Sequence, residues 1–333
     1  MDVGQFKIFA TRSNLIQASP YINVELLGEI PKVMPYSPNF EEEKNNLNQY
    51  DIIFDCSTDN EMAFMLDVMK PDCQIINFSL TNKAKTFICA VNEGISEQKY
   101  HLIDDIEDEQ PNLWVGTGCQ YPTFEASNLD IQTLLNYGLK NIECQFKYDE
   151  RLRTFTIKNV INQYSNELKL FYLNEYIEPV SNLRLYILEE TLKKIEECTY
   201  KYHPKETGGI LVGSFSGDNK TVFIKDCIQP DTIDSSPSHF TRLSQKLNDK
   251  LKELHLSSKG ELVYVGEWHS HPNSSSSYSS TDFKAMKEIA HDTDTRNKNP
   301  ILIINGIKSG ESDFSFYLFK ENNLLTYKKT IEK

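Results

Sequence analysis

The chain has 333 residues, 39% of them hydrophobic, 11% aromatic and 25% charged, enough large side chains to build cores and too many for a disordered protein. Its 35 Lys and Arg stand against 48 Asp and Glu, a net charge of −13, which excludes nucleic acid and anionic membrane as its main partners. No apolar run nears the roughly 18–20 residues that span a bilayer, and Met1-Asp2-Val3-Gly4 does not open a signal peptide, so a cytoplasmic protein of two folding units is expected.

In the first 145 residues strand-like runs alternate with helical periodicity, as βα units do. Strands are expected at Asp51–Cys56, Gln74–Phe78 and Thr86–Val91, with a helix at Asn60–Met69 and another at Ala126–Leu139. The acidic run 104–111 reads as a solvated loop. Glu178-Pro179-Val180-Ser181-Asn182 reads as a seam between units. From Leu183 the pattern becomes an amphipathic helix with Leu188, Leu192, Ile195 and Cys198 on one face. Strands at 210–212, 222–224, 262–271, 301–304 and 314–319 follow, with one more helix; Ser274 to Ser277 reads as a mobile loop. The expected organisation is a domain over 1–150, a linker or connecting strands over 151–182, and a second domain over 183–333, without internal repeats. The seven cysteines are odd in number and form no CxxC pair, which fits neither a disulfide framework nor a thiolate zinc site; most are expected to be buried small hydrophobes.

One constellation carries chemistry. In Val263-Tyr264-Val265-Gly266-Glu267-Trp268-His269-Ser270-His271 the period of two puts both histidines on one strand face. Asp282 follows in the first turn of a helix whose N-cap is Ser279 or Ser280 and whose buried stripe is Phe283, Met286 and Ile289. Two imidazoles and one carboxylate make a three-ligand zinc site with a fourth position open to water, the arrangement of catalytic rather than structural zinc. Glu206, in His203-Pro204-Lys205-Glu206-Thr207-Gly208-Gly209, stands where a helix-to-strand turn can aim it at a cleft. A general base there is worth roughly 10²- to 10⁴-fold, and Ser279 can donate to the oxyanion of the tetrahedral intermediate. His101, His203, His255 and His291 are read as surface or satisfied side chains, and Phe240 and Arg242 as packing residues near the cleft.

The series Glu206, His269-Ser270-His271-Pro272, six residues, Ser279-Ser280-Thr281-Asp282 resembles the JAMM (MPN-plus) motif of zinc isopeptidases over residues 183–330. The resemblance implies a JAB/MPN domain of α+β, cytidine-deaminase-like fold. It makes His269, His271 and Asp282 ligands of one Zn2+, Glu206 the general base and Ser279 the oxyanion partner. It also implies hydrolysis after the C-terminal tail of a ubiquitin-like protein or its conjugates, within a bacterial conjugation system. A zinc hydrolase of sulfur-carrier conjugates and a non-catalytic scaffold whose zinc only stabilises the fold stand as alternatives.

Tyr50 to Asn60, preceded by Ala18 to Glu25, resembles the second half of the ThiF-like adenylation fold of ubiquitin-activating enzymes, a Rossmann-like α/β domain in which the residue matching Asp59 holds the magnesium of ATP. No G-x-G-x-x-G precedes it, so nothing cradles a triphosphate and no ATP binding is expected. In the thioester role of that family, Cys119 in Gly116-Thr117-Gly118-Cys119-Gln120-Tyr121-Pro122 is the candidate. The truncated domain is expected to recognise the modifier or its activating or conjugating enzyme, or to pair with itself through an exposed sheet edge.

Overall fold

The computed structural model describes residues 7–27, 33–57, 59–81, 84–103, 126–148, 152–161, 165–229, 235–236, 239–240, 245–292 and 297–330. The acidic run 104–111, Cys119, Arg242 and the side chain of Phe240 lie outside them. Two compact units divide the chain, one of residues 1–51 and 59–73, the other of 52–58 and 74–333.

The first unit holds α1 (Lys7–Ala18), α2 (Phe40–Leu47) and α3 (Asn60–Met69). Asp59 starts α3: its backbone is extended and its carboxylate accepts the Glu61 N–H at 2.9 Å, an N-cap that satisfies an orphan donor of the first turn. Ala63, Met65, Leu66 and Met69 of α3 are buried.

The second unit begins with β1 (Ile52–Asp55), β2 (Gln74–Thr81), β3 (Thr86–Val91), α4 (Ile95–Leu102), α5 (Asn128–Lys147), β4 (Phe155–Ile161), β5 (Asn166–Glu178) and β6 (Leu183–Leu188). It continues through α6 (Glu189–Tyr202), β7 (Gly208–Phe215), β8 (Thr221–Ile228), β9 (Ser235–Ser236), β10 (His239–Phe240), α7 (Gln245–Ser257) and β11 (Val263–His271). It closes with α8 (Ser280–His291), β12 (Ile301–Lys308), β13 (Glu311–Lys320), β14 (Asn323–Thr326) and β15 (Lys328–Lys329). All of these strands except the β9–β10 pair share one sheet, in the order β1-β2-β3-β4-β5-β6-β8-β7-β11-β12-β13-β14. β15 then pairs with β5, so the path from β5 round to β14 returns to its start.

β1 and β2 pair in parallel with α3 between them in the chain, whereas β2–β3, β3–β4 and β4–β5 are antiparallel. The alternation expected of the first 145 residues thus holds for one crossover. The four residues between β2 and β3 are too few for a parallel return, which needs a dozen or more. The segment 151–182 holds β4 and the 13-residue β5, whose first half pairs with β4 and second half with β6. Glu178–Asn182, read as a seam, is the hairpin turn from β5 to β6, where the Glu178 carboxylate accepts the N–H groups of Val180 (3.0 Å) and Ser181 (2.7 Å). Leu188, assigned from periodicity to the helix, instead ends β6 as the residue before α6.

All six residues of β3 are buried. Phe87 packs with Leu134 and Ile142 of α5, and its ring lies so near Gly138 that a Cβ there would meet it at 2.5 Å. Ile88, on the opposite face, packs with Leu102 of α4 and with Tyr186, Leu188 and Phe223, which ties the first strands to the later ones. Ile195 of α6 enters a core with Leu185, Leu211, Val265, Trp268 and Ile303. Full burial of such a side chain contributes about 1.5–3 kcal/mol.

Among the described residues no helix is long and apolar enough to cross a membrane. Among the described residues no two cysteines form a disulfide; Cys89 and Cys227 are buried as expected, but Cys56 is exposed.

Candidate metal centre

β11 runs antiparallel to β7 and parallel to β12. At its end the side chains alternate. Trp268 enters the core beside Leu211 and Phe316, and Ser270 turns to the same side, where its Oγ accepts the Thr207 N–H at 2.9 Å. His269 and His271 therefore leave by the other face, with their Nε2 atoms 3.0 Å apart.

α8 brings the carboxylate to them. Of the two N-cap candidates the helix uses Ser279, whose Oγ accepts the Asp282 N–H (3.2 Å) while Asp282 Oδ2 accepts the Ser279 N–H (2.6 Å), a capping box. Held so, Asp282 sets Oδ1 3.2 Å from His269 Nε2 and Oδ2 3.7 Å from His271 Nε2. One ligand atom from each of His269, His271 and Asp282 lies within 4.8 Å of the others, a group that could hold a metal ion.

Electrostatics suit that task. Burial, then the neighbouring His269, push the His271 imidazole below its usual value, against the pull of the Ser275 carbonyl and Asp282; a neutral ring is the form that ligates. Burial works to raise the Asp282 carboxyl, but the bond with His269, its charge and the Ser279 N–H outweigh it and hold the group well below the carboxylate range. The helix N-terminus favours the same anion. The His271 Nδ1 contact with the Ser275 carbonyl at 3.1 Å assigns the proton to Nδ1 and leaves the Nε2 lone pair toward the other two donors. Donor set, protonation and ring orientation thus fit a divalent metal with nitrogen and oxygen ligands.

The loop that supplies this carbonyl is not the mobile serine tract expected. Ser276 is buried, donates to Asp313 Oδ2 (2.5 Å) and accepts from Ser315 Oγ (2.7 Å), while Tyr317 donates to its carbonyl at 3.0 Å. Gly306 of β12 lies so close beneath that a Cβ there would stand 2.5 Å from the Ser276 nitrogen. Asp313, Ser315 and Gly306 escaped sequence reasoning; the HxH pair and its helix are local signals, whereas these partners are remote in the chain.

Glu206 is half-buried and directly precedes Thr207. His269 stands opposite Gly208 in the β7–β11 register, and the Ser270 N–H donates to the Thr207 carbonyl at 2.7 Å. His203 Nε2 meets Asn273 Oδ1 at 3.2 Å. His101, His255 and His291 are satisfied by Ser214, the Leu262 carbonyl and the Lys287 carbonyl.

Residues 188–318 match the family of prokaryotic homologs of the JAB domain. Over 113 residues the chain is 38% identical to a protein of Enterobacter hormaechei subsp. hoffmannii named "CD-NTase/cGAS isopeptidase"; the matched stretch is 34% of this chain and 61% of that relative's length. Over 127 residues it is 28% identical to a "Probable metalloprotease" of Sinorhizobium fredii, covering 36% of this chain and 74% of that one. The solution structure of a Desulfitobacterium hafniense protein, 20% identical, aligns with a TM-score of 0.33 over 42% of this chain and 87% of its own. The matched stretch carries His269, His271, Asp282 and Glu206.

Proposed function

We propose that the chain is a zinc-dependent isopeptidase that hydrolyses the bond after the C-terminal tail of a ubiquitin-like modifier, releasing it from a conjugate or an extension. The observation that carries this reading is the convergence of His269, His271 and Asp282 at the start of a capped helix, with Glu206 directly before Thr207, whose backbone bonds to Ser270 between the two histidines. The isopeptidase name of the 38%-identical relative supports the bond type.

His269 Nε2, His271 Nε2 and an Asp282 oxygen would hold the ion, which when bound supplies Lewis-acid activation of water and of the scissile carbonyl. Glu206 takes a proton from the attacking water and returns it to the departing amine as the C–N bond breaks. Ser279 Oγ uses a lone pair on the Asp282 N–H, which leaves its own O–H to donate to the tetrahedral oxyanion.

The parallel β1–β2 pair, with α3 and its Asp59 cap between the two strands in the chain, supports reading residues 1–150 as a ThiF-like module for recognition of the modifier or its conjugating machinery.

The test is cleavage of a ubiquitin-like protein bearing a C-terminal extension by zinc-loaded protein, with Glu206→Gln beside it. Turnover should fall by roughly 10²- to 10⁴-fold in the variant with one zinc per chain retained. An active Glu206→Gln protein would sink the assigned base, and a wild type that takes up no zinc would sink the enzyme.

A further inference from the structure

Away from the metal centre the second unit contains a cavity of about 310 Å³ that no residue of β7, β11, β12 or α8 lines. It lies at a fault in the sheet. β4 leaves β5 at the Phe155–Tyr172 pair, and β15 takes up that edge only at Tyr176. Between them β5 is held by two bonds, Leu173 N–H to the Thr154 carbonyl (2.9 Å) and Thr330 N–H to the Glu175 carbonyl (3.2 Å). A gap in a paired sheet bares polar groups that a continuous ladder would cover.

Asn174 lines the cavity and is only 6% exposed. Its Oδ1 accepts from Arg153 Nη2 at 3.2 Å. Among the described residues its Nδ2 has no acceptor and is not sealed from solvent, so the amide N–H bonds of a nine-tenths-buried side chain are available at the cavity. Arg153, beside it, lies over the Tyr172 ring with 4.3 Å to the centroid, which fixes the guanidinium plane. Across the cavity Arg184 is shared between Glu93 (3.3 Å) and Glu175 (3.5 Å), and Tyr186 donates to Glu175 at 3.1 Å, so both cavity carboxylates already have donors. Among the described residues the lining includes the cationic side chains of Arg153, Arg184 and Lys329 beside the carboxylates of Glu93 and Glu175. Leu152, Leu173 and Ile177 form an apolar wall.

We propose that this cavity binds a small organic anion, its carboxylate or phosphate head on the Asn174 amide and Arg153 guanidinium and its body against Leu152, Leu173 and Ile177. The volume lies at the lower end of small-molecule sites, about 300–1,000 Å³, and the lining combines an apolar wall with a few converging polar groups as such sites do. A planar guanidinium beside an amide donor suits an oxyanion.

Isothermal titration of the full chain with inorganic phosphate, adenosine monophosphate and benzoate tests this. At least one organic probe should saturate and bind more tightly than phosphate; a response to the mononucleotide alone supports a phosphate head, and one to benzoate alone a carboxylate head. Asn174→Asp, which keeps the volume but turns the donor into an anionic acceptor, should weaken binding at least tenfold, and Asn174→Leu serves if that variant fails to fold by circular dichroism. Glu206→Gln should bind as wild type does. Absence of saturable binding for all three probes up to about 10 mM, or unchanged binding in a folded Asn174 variant, overturns the proposal.

Discussion

His101 and His271 are both pushed by burial toward the neutral form, yet their surroundings lead to opposite uses. His101 stacks on Phe223 with ring centroids 3.4 Å apart and meets Ser214 Oγ at 2.9 Å; burial first and the Lys225 charge second lower its pKa to about 4. Lys225 itself donates to the carbonyls of His101 (3.1 Å) and Ile103 (3.2 Å), so the imidazole there plugs the packing of α4 against the sheet. His271 instead turns one nitrogen to a backbone carbonyl and the other to His269 and Asp282. Burial makes an imidazole neutral in both places. Only converging donors with assigned protons make it a ligand.

The sharpest way to break this contrast is Asp282→Ala. It removes a ligand and half of the capping box together, and metal content after gel filtration should fall from one per chain to none, with turnover lost. Retention of stoichiometric metal would show that convergence is not what matters.

His101→Phe probes the other side. In the native protein His101 stays neutral down to about pH 4, whereas in the unfolded chain it gains a proton near pH 6.5. Its contribution to stability is therefore complete above pH 6.5 and lost as pH falls toward 4, at most about 3 kcal/mol. Urea denaturation at neutral and acid pH should show the variant with a shallower fall than wild type and with the same turnover at neutral pH.

A smaller effect sharpens the assignment of the outer partners. Asp313→Ala frees Ser276 and with it the loop that holds the Ser275 carbonyl. Loss of such a partner costs roughly 10- to 100-fold in metal affinity, to be read by chelator competition. Unchanged affinity would mean that His271 needs no such support.

The group that could hold a metal was legible because its parts are local: the period of two joins His269 to His271, and a serine cap announces the helix that carries Asp282. Glu206 was legible as a candidate base from its place at a helix-to-strand turn, and the resemblance gave it the same part, but no local window joins it to the histidines. Four serines in a row look solvated, and Ser276 is buried by partners 37 and 39 residues away that no window contains. β4 and β5, within the stretch read as a linker or connecting strands, were not placed individually for a different reason. β5 interleaves Asn166, Glu167, Lys169, Asn174 and Glu175 with its apolar residues because it changes neighbours midway, from β4 to β6, and so keeps no single buried face. Leu188 fell in phase with Leu192 and Ile195 although its backbone is still extended.

The return of β15 to β5 has a kinetic meaning. The Thr330 N–H finds its acceptor on Glu175, 155 residues earlier, and contacts of such separation slow folding because the intervening loop must be closed first. On the ribosome, where chains grow by about 5–20 residues per second, that edge of β5 waits many seconds for its last neighbour. The nascent chain is exposed to wrong pairing longest there, and that is where a holding chaperone would be of most use.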